Sequence, residues 1–372
     1  MTLIVADGRG DEVRDGVRIV DVGLSGATAD TAAGLGTDLA ADTASSQRRS
    51  AIGARLDRML FSTRRVAARA LALDPDLVQL HDPELLPAGL RLQRAGIRVV
   101  FDAHEDVPAQ LLSKPYLHPI AARLLSTAYA RYERYACARL DGLLAATPHI
   151  RTRLQACNPH TLDIANYPLL EEFEPVANNA VRTEVCYVGS ISALRGIRQL
   201  VQACALLRSP VTLALAGTFS EAALAAEVAT LPGWTRVQAL GHLDRTGVAG
   251  VMRRACAGLV TLLPTASYRD ALPVKMFEYM AAGIPVIASD FPRWRAIVDA
   301  SECGLCVDPC DPAAIAAAID RIAGDPELAA RLGANGRRAV EQHYNWRHEA
   351  RKLMQFYDGL CGQPSAHCLA PQ

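Results

Sequence analysis

The sequence predicts an α/β protein of two Rossmann-like domains with parallel sheets, and three observations carry that prediction. The chain has 372 residues, half of them hydrophobic, which is enough for more than one core. From Thr183 onward, short apolar runs near 185–188, 211–216, 236–240, 257–262, 285–288 and 304–307 alternate with amphipathic stretches, the rhythm of buried parallel strands joined by helices. The first half repeats this less regularly. Strands are expected there near 76–80, 97–102, 141–145 and 161–165, and helices near 52–72, 84–95, 118–138 and 148–156.

Two prolines around an acidic run, Pro168 to Pro175, interrupt the alternation and mark the join. The first domain is therefore expected at 1–170, a linker at 171–182 and the second domain at 183–340. A helix over 341–361 carries Tyr344, Trp346 and Tyr357, aromatic anchors that suit packing better than exposure. Residues 362–372, with two prolines and no period, read as a frayed tail, and residues 25–50 as a long flexible loop. Ligands of doubly wound sheets bind at the carboxyl ends of strands, so two such domains imply a shared cleft. The loops to consider follow Leu80, Asp102, Val188, Ala216, Leu240 and Leu263.

Charge narrows the partners. Lys plus Arg equals Asp plus Glu at 39 each, so there is no basic surplus for nucleic acid. No run approaches about twenty apolar residues, and Met1 to Asp7 lacks a basic signal region, so a cytoplasmic protein is expected. Ten cysteines scattered through apolar segments read as reduced core residues. Cys303, Cys306 and Cys310 have zinc-like spacing but no fourth ligand nearby, and Gly304 to Pro309 reads as a strand entering a turn, which favours packing.

The stretch most suited to a substrate is Tyr268 to Ser289. Pro273 favours a turn into a helix, Gly283 ends that helix and Pro285 leads a strand, so Asp270 precedes a helix start and Glu278 lies about a turn inside it. Such a start offers N–H groups to anions, with Lys275 at hand and Leu272 and Val274 beside it, while the carboxylates accept hydrogen bonds from hydroxyls. Tyr187 to Ile197 is a strand, a small-residue loop with Gly189 and Ser190, then Arg195, Gly196 and a helix. Small residues let backbone approach phosphate oxygens and Arg195 can bind two of them, although many strand-to-helix turns carry Gly and Ser for geometry alone. In the first half, His81-Asp82-Pro83-Glu84 and Asp102-Ala103-His104-Glu105-Asp106 each follow a predicted strand. A metal site is one reading of these two clusters, and a helix cap at Asp82-Pro83-Glu84 is another. Between Arg48 and Arg69, seven arginines and one acid interleave with apolar residues, which suits either an anionic membrane surface or a helix packed on its sheet.

Taken together, these motifs resemble the retaining glycosyltransferases of family 4, with the GT-B fold of two facing Rossmann-like domains and a C-terminal helix crossing back to the first. Asp270 and Glu278 match that family's paired glutamates, and Gly189 with Arg195-Gly196 matches its phosphate loop. The resemblance implies that Asp270 contacts the donor sugar, that Glu278 holds the ribose, and that Arg195, with Lys275 as helper, meets the diphosphate. His104 matches the histidine that reaches the donor sugar from the first domain, and His81 and Glu105 become cleft or acceptor-side residues. Two departures stand out: Asp270 is one methylene shorter than the usual glutamate, and Ser190 replaces a basic residue. A bacterial surface-polysaccharide branch of the family shares both.

Family members open with a strand, a loop and a helix before the segment that Thr2 to Gly10 resembles, so an N-terminal truncation is expected. The implied activity is metal-independent transfer of a sugar, with retention, from a nucleotide-diphosphate sugar, UDP by default, to a lipid-linked or saccharide acceptor. No cofactor is expected. A sugar-nucleotide epimerase of the same fold and an inactive nucleotide-sugar-binding fragment are the alternatives.

Overall fold

The computed structural model describes residues 1–5, 11–14, 16–21, 63–112, 117–174 and 182–362. The loop expected at 25–50, the basic stretch up to residue 62, most of the linker and the tail lie outside the described residues. Contacts divide the chain into two compact units, with the main boundary between Asp163 and Ile164, a little before the join marked by the two prolines.

The first unit begins with a small sheet of β1 (Thr2–Val5), β2 (Glu12–Arg14) and β3 (Val17–Asp21) in the order β1-β3-β2, with β1 parallel to β3 and β2 antiparallel to it. The antiparallel β2 has no apolar run to announce it. A second sheet holds β4 (Leu77–Leu80), β5 (Arg98–Ala103), β6 (Gly142–Ala145) and β7 (Thr161–Asp163), all parallel and in sequence order. Each parallel step needs a crossover, and the Leu86–Arg94, Pro119–Cys137 and Pro148–Gln155 helices supply them. Val99, Val100, Phe101, Leu143 and Leu144 are almost wholly buried, as strands covered on both faces must be.

The second unit is one parallel sheet of β8 (Glu184–Val188), β9 (Thr212–Ala216), β10 (Val237–Gly241), β11 (Ala255–Val260), β12 (Val286–Ser289) and β13 (Gly304–Val307). Its order is β10-β9-β8-β11-β12-β13. Numbered from β8, that is 3-2-1-4-5-6, the doubly wound order in which ligands meet the sheet where the winding reverses. Here the reversal falls between β8 and β11, whose strand-end loops carry Gly189 to Arg195 and Thr261 to Pro273. Gly258 lies under the Tyr279 ring, where a Cβ would collide with it, and the Tyr279 hydroxyl accepts from Val188 N at 3.1 Å. The Val274–Ala281 helix is thereby fixed across both central strands.

The last helix, Trp346–Cys361, starts within the second unit, where Trp346 N donates to Pro168 O and the buried Glu349 accepts from Ala165 N at 2.9 Å. From Phe356 onward the chain clusters with the first unit. There Phe356 and Leu360 occupy the space a side chain on Gly142 would need, and the Tyr357 hydroxyl donates to Gln79 Oε1. Among the described residues no helix is long and apolar enough to cross a membrane.

Candidate active site

Each unit carries its own group of the residues singled out above. In the second, Gly189 follows β8 at φ +119°, a conformation that side-chain-bearing residues rarely adopt. A Cβ there would stand 3.4 Å from Lys275 Nζ and 3.6 Å from Arg195 Nη1, so two basic side chains flank this backbone. Gly196 has φ +75°, and a side chain on it would collide with the Thr261 carbonyl oxygen at the end of β11. Leu263 N donates to Leu194 O at 3.0 Å. The loops after the two central strands are thus stitched together at the point where the winding reverses.

Lys275 is buried, and its ammonium finds no hydrogen-bond acceptor among the described residues. It rests 3.7 Å from the centroid of the Tyr187 ring, a cation–π contact. Burial, and then the neighbouring Arg195, push its pKa well below the ordinary lysine value, with Glu278 opposing them. The same burial pushes the Tyr187 hydroxyl up to about 12, and that hydroxyl donates to Ser190 O at 2.8 Å. An anion brought to Gly189 would meet both the Arg195 guanidinium and an amine that has no hydrogen-bond acceptor among the described residues.

Glu278 is also buried and accepts from Arg245 Nη1 at 2.8 Å, while Arg245 Nη2 donates to Glu172. Asp270 lies exposed at the carboxyl end of the short Ala266–Arg269 helix, in a segment held by Trp294 Nε1 donating to Ala271 O at 2.7 Å. Leu272 and Val274 are half-buried, and Leu272 packs on the core. The exposed Ser190 pairs its hydroxyl with that of Ser220 at 3.1 Å. A cavity of about 480 Å³ opens beside this loop, lined among others by Gly189, Ser190, Gly217, Ser220, His242 and Arg245. That volume falls within the range of ligand pockets, roughly 300–1,000 Å³. Arg245 and His242 were missed by motif reading, although both follow β10, one of the strand ends worth inspecting.

In the first unit, His81 follows β4 and His104 follows β5. The structure brings them together: His81 Nδ1 and His104 Nε2 are 3.2 Å apart, and each lies 3.5 Å from Asp102 Oδ2. Asp102 is the residue that motif reading underused. It is the last but one residue of β5, and Gln79 Nε2 donates to its Oδ2 at 2.8 Å. Glu105 points elsewhere, accepting from Gln110 Nε2. Asp106 caps the next helix through Ala109 N and pairs with His149 and Arg153. Asp82 stands at an N-cap position without a capping bond from its side chain.

Residues 171–339 match the family Glycosyl transferases group 1, and residues 32–163 match Glycosyltransferase Family 4. Over 190 residues the chain is 27% identical to glycogen synthase of Mycobacterium tuberculosis, a stretch covering 49% of this chain and 45% of that protein. The chain thus spans less than half the length of the curated relatives it matches first. Among solved structures, sucrose-phosphate synthase from Thermosynechococcus elongatus superposes with TM-score 0.73 at 21% identity, covering 97% of this chain and 89% of that one. Anabaena HepE in complex with UDP-glucose superposes with TM-score 0.64 at 16% identity, covering 80% and 82%. At these identities the likeness establishes the fold, a GT-B arrangement of two Rossmann-like domains.

Proposed function

We propose that this chain, a GT-B protein of the family 4 and group 1 glycosyltransferase type, transfers a sugar from a nucleoside-diphosphate sugar to an acceptor. One observation carries the reading: Lys275 and Arg195 flank Gly189 where the winding of the second sheet reverses, beside a cavity of about 480 Å³. A diphosphate supplies the hydrogen-bond acceptor that the buried Lys275 lacks among the described residues, and the small-residue loop lets its oxygens reach backbone N–H groups. UDP is the proposed nucleotide, since HepE was solved with UDP-glucose.

In this reading Glu278 accepts the ribose hydroxyls once Arg245 yields one oxygen, and Asp270 and His104 serve the sugar. Leu272 and Val274 present backbone beside the sugar at the helix start. The departing diphosphate is stabilised by Arg195, Lys275 and the start of the Val274–Ala281 helix, charges already in place before the bond breaks. Retention follows from attack on the face that the leaving group vacates, with the phosphate taking the acceptor proton, and no metal ion is required. The acceptor is a lipid-linked or polysaccharide chain of surface-polysaccharide synthesis, met from the cytoplasmic face of the membrane.

The test is a set of UDP-, GDP- and ADP-sugars incubated with the full chain and an isoprenoid-linked saccharide, with the product's anomeric configuration read by NMR. Transfer with the donor's configuration kept is expected. Inversion, or interconversion of the donor without transfer, would refute the reading.

A further inference from the structure

We propose that His81, Asp102 and His104 form a binding site for one divalent transition-metal cation, of the zinc type rather than the magnesium or calcium type. Three donor atoms, one from each residue, converge at separations of 3.2, 3.5 and 3.5 Å. Zinc bonds of about 2.0–2.1 Å in tetrahedral geometry set ligand-to-ligand edges of about 3.3–3.4 Å, so the triangle already has the size of a metal-binding face. Two imidazoles and one carboxylate suit zinc, cobalt or nickel, whereas magnesium and calcium prefer oxygen.

The sheet explains why these residues meet. β4 and β5 are paired in register with Leu80 opposite Phe101, so the residue after β4 and the end of β5 emerge side by side. A supporting shell is present as well. Tyr357 donates to Gln79, and Gln79 donates to Asp102 Oδ2, a chain of two bonds that fixes the carboxylate as outer-shell partners do in metal sites. The imidazoles are 54% and 52% exposed, so a cation can enter from solvent and keep a water in its open position.

Without a cation, one imidazole donates a hydrogen bond to the other across the 3.2 Å gap. Metal entry shifts that proton, by exchange with water, to the other nitrogen of its own ring, so both imidazoles stay neutral and each offers a lone pair to the cation. The carboxylates that follow His104 are held by other partners, Glu105 by Gln110 and Asp106 by His149 and Arg153. A bound cation occupies His104 Nε2 and so withdraws that nitrogen from a sugar hydroxyl. This consequence alone rests on the proposed glycosyl transfer, while the binding itself does not.

Cobalt(II) titrated into the full chain reads the site directly. We expect one equivalent to give the visible band of tetrahedral cobalt without the near-ultraviolet thiolate band of a cysteine site, and zinc to displace it. His81→Ala, His104→Ala and Asp102→Asn should each weaken binding at least tenfold while far-ultraviolet circular dichroism is unchanged. Gln79→Ala should weaken it by up to about tenfold, the lower end of an outer-shell effect. No visible band, a band with thiolate character, or wild-type affinity retained in either histidine variant overturns the proposal. Zinc that binds at this site yet leaves transfer unaffected would support the metal site and count against His104 as a sugar contact.

Discussion

Replacing Lys275 by methionine is expected to stabilise the empty protein and to remove its response to UDP. The native amine is buried without an acceptor among the described residues, a state that costs about 1–3 kcal/mol in proteins. The Tyr187 contact offsets part of this only while the amine is protonated, whereas a methionine sulfur over the same ring contributes about 0.3–1.5 kcal/mol at any pH. The exchange should therefore gain about 1–2 kcal/mol, and each kcal/mol raises the melting temperature of a domain this size by about 2–4 °C. The pH dependence has a fixed sign. Between the depressed native pKa of Lys275 and the ordinary value of about 10.4, the unfolded chain holds a proton that the native protein lacks. Stability therefore rises with pH through that window, by up to about 1.4 kcal/mol per unit, and the methionine variant loses this contribution. Diphosphate binding should restore the charge, so calorimetry with UDP in two buffers of different ionisation enthalpy should detect proton uptake of up to one equivalent, absent in the variant. A variant that is destabilised by more than about 1 kcal/mol, keeps the wild-type pH slope, or still melts later with UDP would refute the reasoning.

Glu278→Ala should weaken UDP at least tenfold in calorimetry while leaving uridine-free diphosphate binding almost unchanged, because the carboxylate is assigned to the ribose. Gly196→Ala combines φ +75° with a collision against the Thr261 carbonyl, and should lower stability by about 2 kcal/mol or more in urea unfolding of the full chain. Glu349→Ala removes the acceptor of Ala165 N and the partner of Lys352, and should cost about 2–3 kcal/mol in the same measurement.

Strands and helices of the second half could be read locally because each buried strand is a short apolar run bounded by turn residues. The sheet order could not. β8 and β11 meet although Cys186 and its partner Gly258 are 72 positions apart, and nothing in either run names its neighbour. The same limit applies at the site. Gly189, Arg195 and Lys275 belong to strand-end and helix-start patterns, and the structure gathers them around one loop. Arg245 reads as an ordinary exposed residue at a helix start, and only the fold aims it at Glu278, 33 positions on. Asp102 hides for a similar reason: in a run ending Phe101-Asp102-Ala103 it marks the end of a strand, while its place beneath two histidines depends on how β4 and β5 pair.

The helix that ends at Cys361 has a bearing on biosynthesis. Tyr357 and its partner Gln79 are 278 positions apart, and Gln79 is the group that steadies Asp102 below His81 and His104. During synthesis the first unit emerges from the ribosome with β6 uncovered at Gly142 and with that steadying bond unmade. It stays so while the whole second sheet is translated, because the residues that complete it follow that sheet in the sequence. A nascent chain therefore holds its histidine pair without the final prop, and a chain stopped short of Phe356 never acquires it.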